Sequence, residues 1–217
     1  MLLEPEQALP AAGRFLVAAL VCGALALGFE DAVASAALPL LKSWIALIDG
    51  SLRTVELSVV DVHGESTLRR LTTPLKVLVL GTTVLGVDER TVISTSALTG
   101  ILLQPVVLGI ALLLAWPCKK STELVVRLLL GLPLLLLILL LDVPLMLCGY
   151  AWLALIDAYE PGRFSLLVDW ADFMNAGGRF ALVVLASAIV VALARRLFAW
   201  PRRGPGAADG ALVHEQP

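Results

Sequence analysis

The chain has 217 residues, of which 59% are hydrophobic and 16% charged, and its mean hydropathy is +0.92. A soluble domain has about half its residues apolar and a quarter charged, so an ordinary soluble fold is excluded and an integral membrane protein is indicated. The net charge is −2 with dispersed basic residues, which argues against a nucleic-acid partner, because backbone binding needs a concentrated positive surface.

An apolar run from Phe15 to Phe29 follows Glu4, Glu6 and Arg14. Its 15 residues are fewer than the roughly 20 needed to cross a bilayer, so it either recruits Leu9 to Gly13 or continues through Glu30 and Asp31. Ala32, Ala34 and Ala36 suit a signal-peptide cleavage site, but the adjacent acids and the absence of a basic leader do not; the segment reads as a retained anchor. From Ala32 to Ile48 the sequence stays apolar around Pro39, Lys42 and Trp44. It reads as a helix near the outer interface, with Trp44 at the headgroups and Lys42 reaching water, or as the second arm of a hairpin. Residues 1–50 are thus an N-terminal anchor plus interfacial helix.

Residues 51–96 change character. Thr54 to Val59 alternates polar and apolar side chains, His63-Gly64-Glu65-Ser66 reads as a turn, and Thr67–Thr72, Leu75–Leu80 and Arg90–Thr95 are rich in β-branched residues. This predicts a small extracytoplasmic β-rich insertion. Its six basic residues from Lys42 to Arg90 balance six acidic ones from Asp49 to Glu89, so it presents no strong field to a polyanion.

Three further spans are expected in residues 97–200. Leu98 to Trp116 contains Gln104, Pro105 and Gly109; Leu124 to Ile156 is nearly unbroken hydrocarbon around Asp142; Phe180 to Ala194 ends in Arg195 and Arg196. Between the last two, the outer amphipathic loop 157–179 places Leu166, Leu167, Trp170, Phe173 and Met174 on one face of a short helix capped by Ser165, with Asp169 and Asp172 turned away. Asn175 to Gly178 then breaks it. The tail 201–217 reads as a disordered cytoplasmic segment. Four spans put both termini on one side, together with Lys119, Lys120, Arg127, Arg195, Arg196, Arg202 and Arg203, and the positive-inside tendency makes that side cytoplasmic. The fold expected is an all-α integral membrane bundle of about four transmembrane helices carrying the β-rich insertion.

Asp142 is the first candidate site, because a carboxylate in hydrocarbon pairs, faces a cavity or is neutralised. Three readings stand: a structural bond to Arg179, Gln104 or backbone; a carboxylate meeting water at the interface; or a transport or catalytic group. Cys148, His63 and Arg179 together hold the residue types of a thiol peptidase, with nucleophile, base and oxyanion stabiliser, although nothing in their spacing makes them meet. Arg179 after Gly177-Gly178 suits an outer helix end, reaching phosphate or pairing with Asp169 or Asp172, and Trp44 and Trp170 are candidate partner contacts. Cys22, Cys118 and Cys148 make no metal or redox motif, and no metal or cofactor is expected.

An N-terminal span, the stretch Trp44 to Thr54, the strand text Thr54-Val55-Glu56-Leu57-Ser58-Val59, a second span near Leu98 and Asn175-Ala176-Gly177-Gly178-Arg179 before the last span resemble, in arrangement, the small membrane proteins that accompany bacterial exosortases. The resemblance covers most of residues 10–196 and transfers no catalytic residue. It implies an accessory protein in the processing or export of envelope proteins, with another membrane or envelope protein and membrane lipid as partners. A membrane enzyme acting on a lipid or peptide at the outer interface is the alternative, and a small transporter subunit the third.

Overall fold

The computed structural model of the chain describes residues 5–86, 92–118 and 121–199. Lys119, Lys120, Asp88, Glu89, Arg90 and the tail 201–217, with Arg202 and Arg203, lie outside the described residues.

Helix α1 (Pro5–Ile48) is continuous for 44 residues. The separate interfacial helix expected over 32–48 is therefore corrected, and so is the hairpin: the helix passes straight through Glu30 and Asp31. Tertiary partners explain why it does not stop. Asp31 accepts a hydrogen bond from the Ser66 hydroxyl, which also contacts the Thr99 hydroxyl at 3.1 Å. Further along, Leu41 and Ile45 are buried, and burial of an apolar face is the usual source of helix stability. Pro39 leaves one helical hydrogen bond unmade without ending the helix.

Asp49 turns the chain out of α1, its Oδ1 accepting the backbone N–H groups of Ser51 at 3.0 Å and Leu52 at 3.3 Å. Strand β1 (Leu52–Val62) runs back towards the level of Asp31. His63 and Gly64, at φ 58° and 84°, make a two-residue turn of the type whose twist suits a hairpin. Strand β2 (Glu65–Pro74) returns, β3 (Leu78–Leu80) and β4 (Thr83–Leu85) form a separate short hairpin, and β5 (Ile93–Leu98) completes an antiparallel sheet ordered β1-β2-β5. The predicted alternation thus marks a strand, interrupted by a bulge between Thr54 and Glu56. The inner face of the sheet is not solvated: Leu68 shares a core with Leu41 and Ile45 of α1 and with residues of the next-but-one helix, Val143, Met146, Leu147 and Cys148.

Helix α2 (Thr99–Ala115) begins where β5 ends. It is followed by α3 (Ser121–Tyr159), α4 (Leu166–Phe173), a kink (Met174–Gly178) and α5 (Arg179–Ala199). Among the described residues, three helical runs, 10–48, 121–159 and 166–198, are long and apolar enough to cross a membrane. The 17 residues of α2 span about 26 Å, just under the roughly 30 Å of a hydrocarbon core. Leu135 of α3 seats over Gly109 and Leu113 over Gly131, so α2 lies antiparallel to α3 within the same layer. Leu113, Leu135, Ile138, Val183, Ala186 and Val190 form the core shared by α2, α3 and α5, while Leu129, Leu132, Leu136, Leu185 and Ile189 face outward. The protein is a multi-pass helical membrane protein with a β-rich insertion. The C-terminal half of α3 is enclosed by α1, α4 and the insertion, and together they form a head.

At the opposite end, fully buried Arg127 donates to the carbonyls of Trp116 at 2.7 Å and Pro117 at 2.9 Å and pairs with Glu123. Helix ends leave carbonyls without intrahelical donors, and this guanidinium binds the carbonyls of the short α2–α3 link. Arg195 stacks 5.8 Å from the Trp116 ring centroid. Arg127→Lys keeps the charge but loses the fork, and is expected to lower stability by about 1.5–3 kcal/mol, read as an earlier midpoint in detergent-induced unfolding. An unchanged midpoint would show that the clamp contributes nothing.

Candidate functional site

Asp142, Met146 and Tyr150 recur at four-residue spacing on one face of α3. Opposite them the chain passes from α4 to α5 through Gly177, at φ 106°, a conformation that glycine adopts without a Cβ penalty. That kink sets Arg179 at the head of α5, with its Nε 3.6 Å from Asp142 Oδ2. Arg179 also donates from Nε to the Met174 carbonyl and from Nη2 to Asn175 Oδ1 and Met146 Sδ, each at 3.3 Å. Asn175 Nδ2 in turn donates to the Tyr150 hydroxyl at 2.8 Å.

Both ionic side chains are buried, Asp142 at 0% and Arg179 at 3% exposure. Neither Asp142 oxygen has a hydrogen-bond partner among the described residues, so charge, at 3.6 Å, is the main attachment of this carboxylate. Of the three readings open for Asp142, the geometry displays the structural pairing with Arg179. The expected pairing of Arg179 with Asp169 or Asp172, or with phosphate, is corrected: the arginine points into the bundle, and both α4 acids are exposed.

Cys148 lies on another face of α3, with Sγ accepting from Nη1 of Arg70 at 3.3 Å. Arg70 is fully buried and also donates from Nε to Thr54 Oγ1 at 3.1 Å. His63 does not join this group. It sits at the exposed turn, separated from Arg70 by a length of strand of roughly 20 Å, and borders a shallow depression of about 460 Å³ with Val62, Glu65, Thr67, Ser96 and Leu98. A thiol nucleophile needs a base in reach and a path for substrate; here the thiol is buried against a guanidinium, which is no base.

Helix α4 runs along α3, with Ala171 and the Leu167 carbonyl closing on Gly149 so tightly that any Cβ there would collide with them. It therefore packs on the head, and the Asn175–Gly178 stretch kinks the helix where a break was expected. Ser165 begins α4 in extended conformation but makes no side-chain cap. Trp170 is half-buried with its ring 5.9 Å from Phe173, and Trp44 is half-buried in α1.

Comparison of the chain with protein-family models, curated proteins and solved structures finds no match. No group of three or more His, Cys, Asp or Glu among the described residues is placed to hold a metal ion. What the arrangement does chemically is hold: Asp142–Arg179–Asn175–Tyr150 ties α3 to the α4–α5 kink, and Arg70–Cys148 ties the sheet to α3. Arg70 had no identifying signal in the sequence, and Asn175 stood out only as the start of the break before Arg179. Arg70 occupies an inward strand position of a kind normally apolar, and only its partner across the fold explains it.

Proposed function

We propose that the protein is an accessory or assembly protein of the bacterial inner membrane, whose β-rich head stands on the extracytoplasmic side and supports an envelope protein-processing or export system. The observation that carries this reading is the fate of the chemistry-bearing side chains: Asp142, Arg179, Arg70 and Cys148 are all buried in contacts that join head to bundle, while the head keeps an open apolar surface. The arrangement that resembles exosortase-associated membrane proteins supports the same class. For sidedness the support is charge: Arg127, Arg195 and Arg196 lie at the end of the bundle remote from the insertion, the end that the positive-inside tendency assigns to the cytoplasm. On this reading both termini are cytoplasmic. The enzyme and transporter readings each need an accessible reactive or ion-handling group, and the buried pairs favour neither.

Native cysteines test the sidedness directly, because Cys118 is exposed in the α2–α3 link and Cys148 is buried. In intact spheroplasts a membrane-impermeant maleimide is expected to spare Cys118 and to label an added Lys76→Cys on the head; permeabilisation should then expose Cys118. The reverse pattern would invert the topology. Mild crosslinking followed by purification tests the accessory role, and recovery of the monomer alone counts against it. Deleting residues 51–96 is unsuitable for that purpose, since Leu68 and Arg70 belong to the common core.

A further inference from the structure

We propose that Asp49, Arg70 and Cys148 frame a binding site for one water molecule, which bridges the buried carboxylate and guanidinium where α1 turns into the sheet. The site goes beyond the accessory reading and does not depend on it. Arg70 is fully buried, and two neutral groups hold its guanidinium: Nε donates to Thr54 Oγ1 at 3.1 Å and Nη1 to Cys148 Sγ at 3.3 Å. Those two bonds fix its plane. Nη2, a donor in the same rigid fork, is buried with no hydrogen-bond partner among the described residues.

Asp49 supplies the complementary half. It is 6% exposed, and its Oδ1 accepts the N–H groups of Ser51 and Leu52, so the carboxylate cannot turn without releasing the start of β1. Oδ2 is left buried and without a partner among the described residues. Both charges converge on one place. Thr54, which receives Arg70 Nε, lies only about 7 Å along β1 from Leu52, and the charges of Asp49 and Arg70 both act on the Cys148 thiol. Yet no Asp49 oxygen comes within 4.0 Å of an Arg70 nitrogen.

Buried charges are costly unless they are hydrogen-bonded. Direct contact would require Asp49 to release Ser51 and Leu52, or Arg70 to release Thr54 and the thiol. One water spans the gap instead, because two hydrogen bonds of roughly 2.8 Å bridge groups about 4.5–5.5 Å apart. It accepts from Nη2 and donates to Oδ2, and its second hydrogen reaches Thr54 Oγ1 or Cys148 Sγ, giving the roughly three bonds usual for buried water. A cation on Oδ2 would sit against the guanidinium, and an anion on Nη2 against the carboxylate. The two charges therefore select a neutral molecule that both accepts and donates. The bridge joins the end of α1, β2 and α3 at a single point.

The experiment is a crystal structure of the full chain grown in a lipidic phase, at a resolution that shows ordered water, with chloride exchanged for bromide and anomalous data collected for bromide and for metals. The expected result is one water peak within hydrogen-bond distance of both Asp49 Oδ2 and Arg70 Nη2, with no anomalous signal. Asp49→Asn, whose amide oxygen can keep the bonds to Ser51 and Leu52, is expected to retain the peak at full height, with the amide nitrogen now donating to it; a cation would be lost with the charge. Protection of Cys148 from maleimide shows that the variant is folded, and if it is not, the wild-type density decides alone. Direct contact between Asp49 and Arg70 overturns the proposal, as do an anomalous peak, no density between the two groups, or loss of the peak from folded Asp49→Asn.

Discussion

Asp142→Ala is expected to destabilise the folded protein by about 3–5 kcal/mol, because removing one member of a buried ion pair leaves the other charge uncompensated. Arg179 is 3% exposed and also holds the Met174 carbonyl, Asn175 and Met146, none of them charged. The double replacement Asp142→Leu with Arg179→Met should recover most of the loss, since apolar residues of similar volume commonly substitute for such a pair at little or no net cost. Unfolding in mixed micelles at increasing denaturing-detergent fraction measures both variants. Wild-type stability in Asp142→Ala would remove the structural role assigned here, and failure of the double variant to recover would point to a function for the charges themselves.

Gly149→Val is expected to lower stability by about 1–3 kcal/mol through overpacking and to make Cys148 reactive towards maleimide in the folded protein. A Cβ at this position would lie 2.9 Å from the Ala171 Cβ and would meet the Leu167 carbonyl oxygen. Backbone cannot swing aside like a side-chain tip, so α4 must lift from α3, and the neighbouring thiol shares the core cluster containing Ala171. Gly23→Val is the matched control: nothing lies within 4 Å of a Cβ there. Unchanged thiol protection in Gly149→Val would show that α4 is not seated as described.

The two variants probe contacts of different legibility. Asp142 stood out because a lone acid in a leucine-rich run is conspicuous, and Arg179 because two glycines precede it; that they face each other follows from the antiparallel course of α3 and α5. Gly149 carried no signal, since its small size matters only where Ala171 and Leu167 approach. At Glu30 and Asp31 the sequence left a choice between a span that ends and one that continues, and the helix continues, with Asp31 meeting Ser66 beside the β1–β2 turn.

By itself the sequence determined that this chain belongs in a membrane, where its long apolar helices lie, and that a strand-rich segment interrupts them. Those are local properties: the length of a hydrophobic run is set by the bilayer, and alternation by the two-residue period of a strand. Only the tertiary structure decided that α1 continues into the head, that the insertion shares its core, and that Arg70 ends on Cys148, 78 residues away. Period and composition tell which face of an element must be covered; what covers it depends on how distant segments close on one another, and that arrangement turned three conspicuous polar residues into structural ties and left a short valine strand exposed.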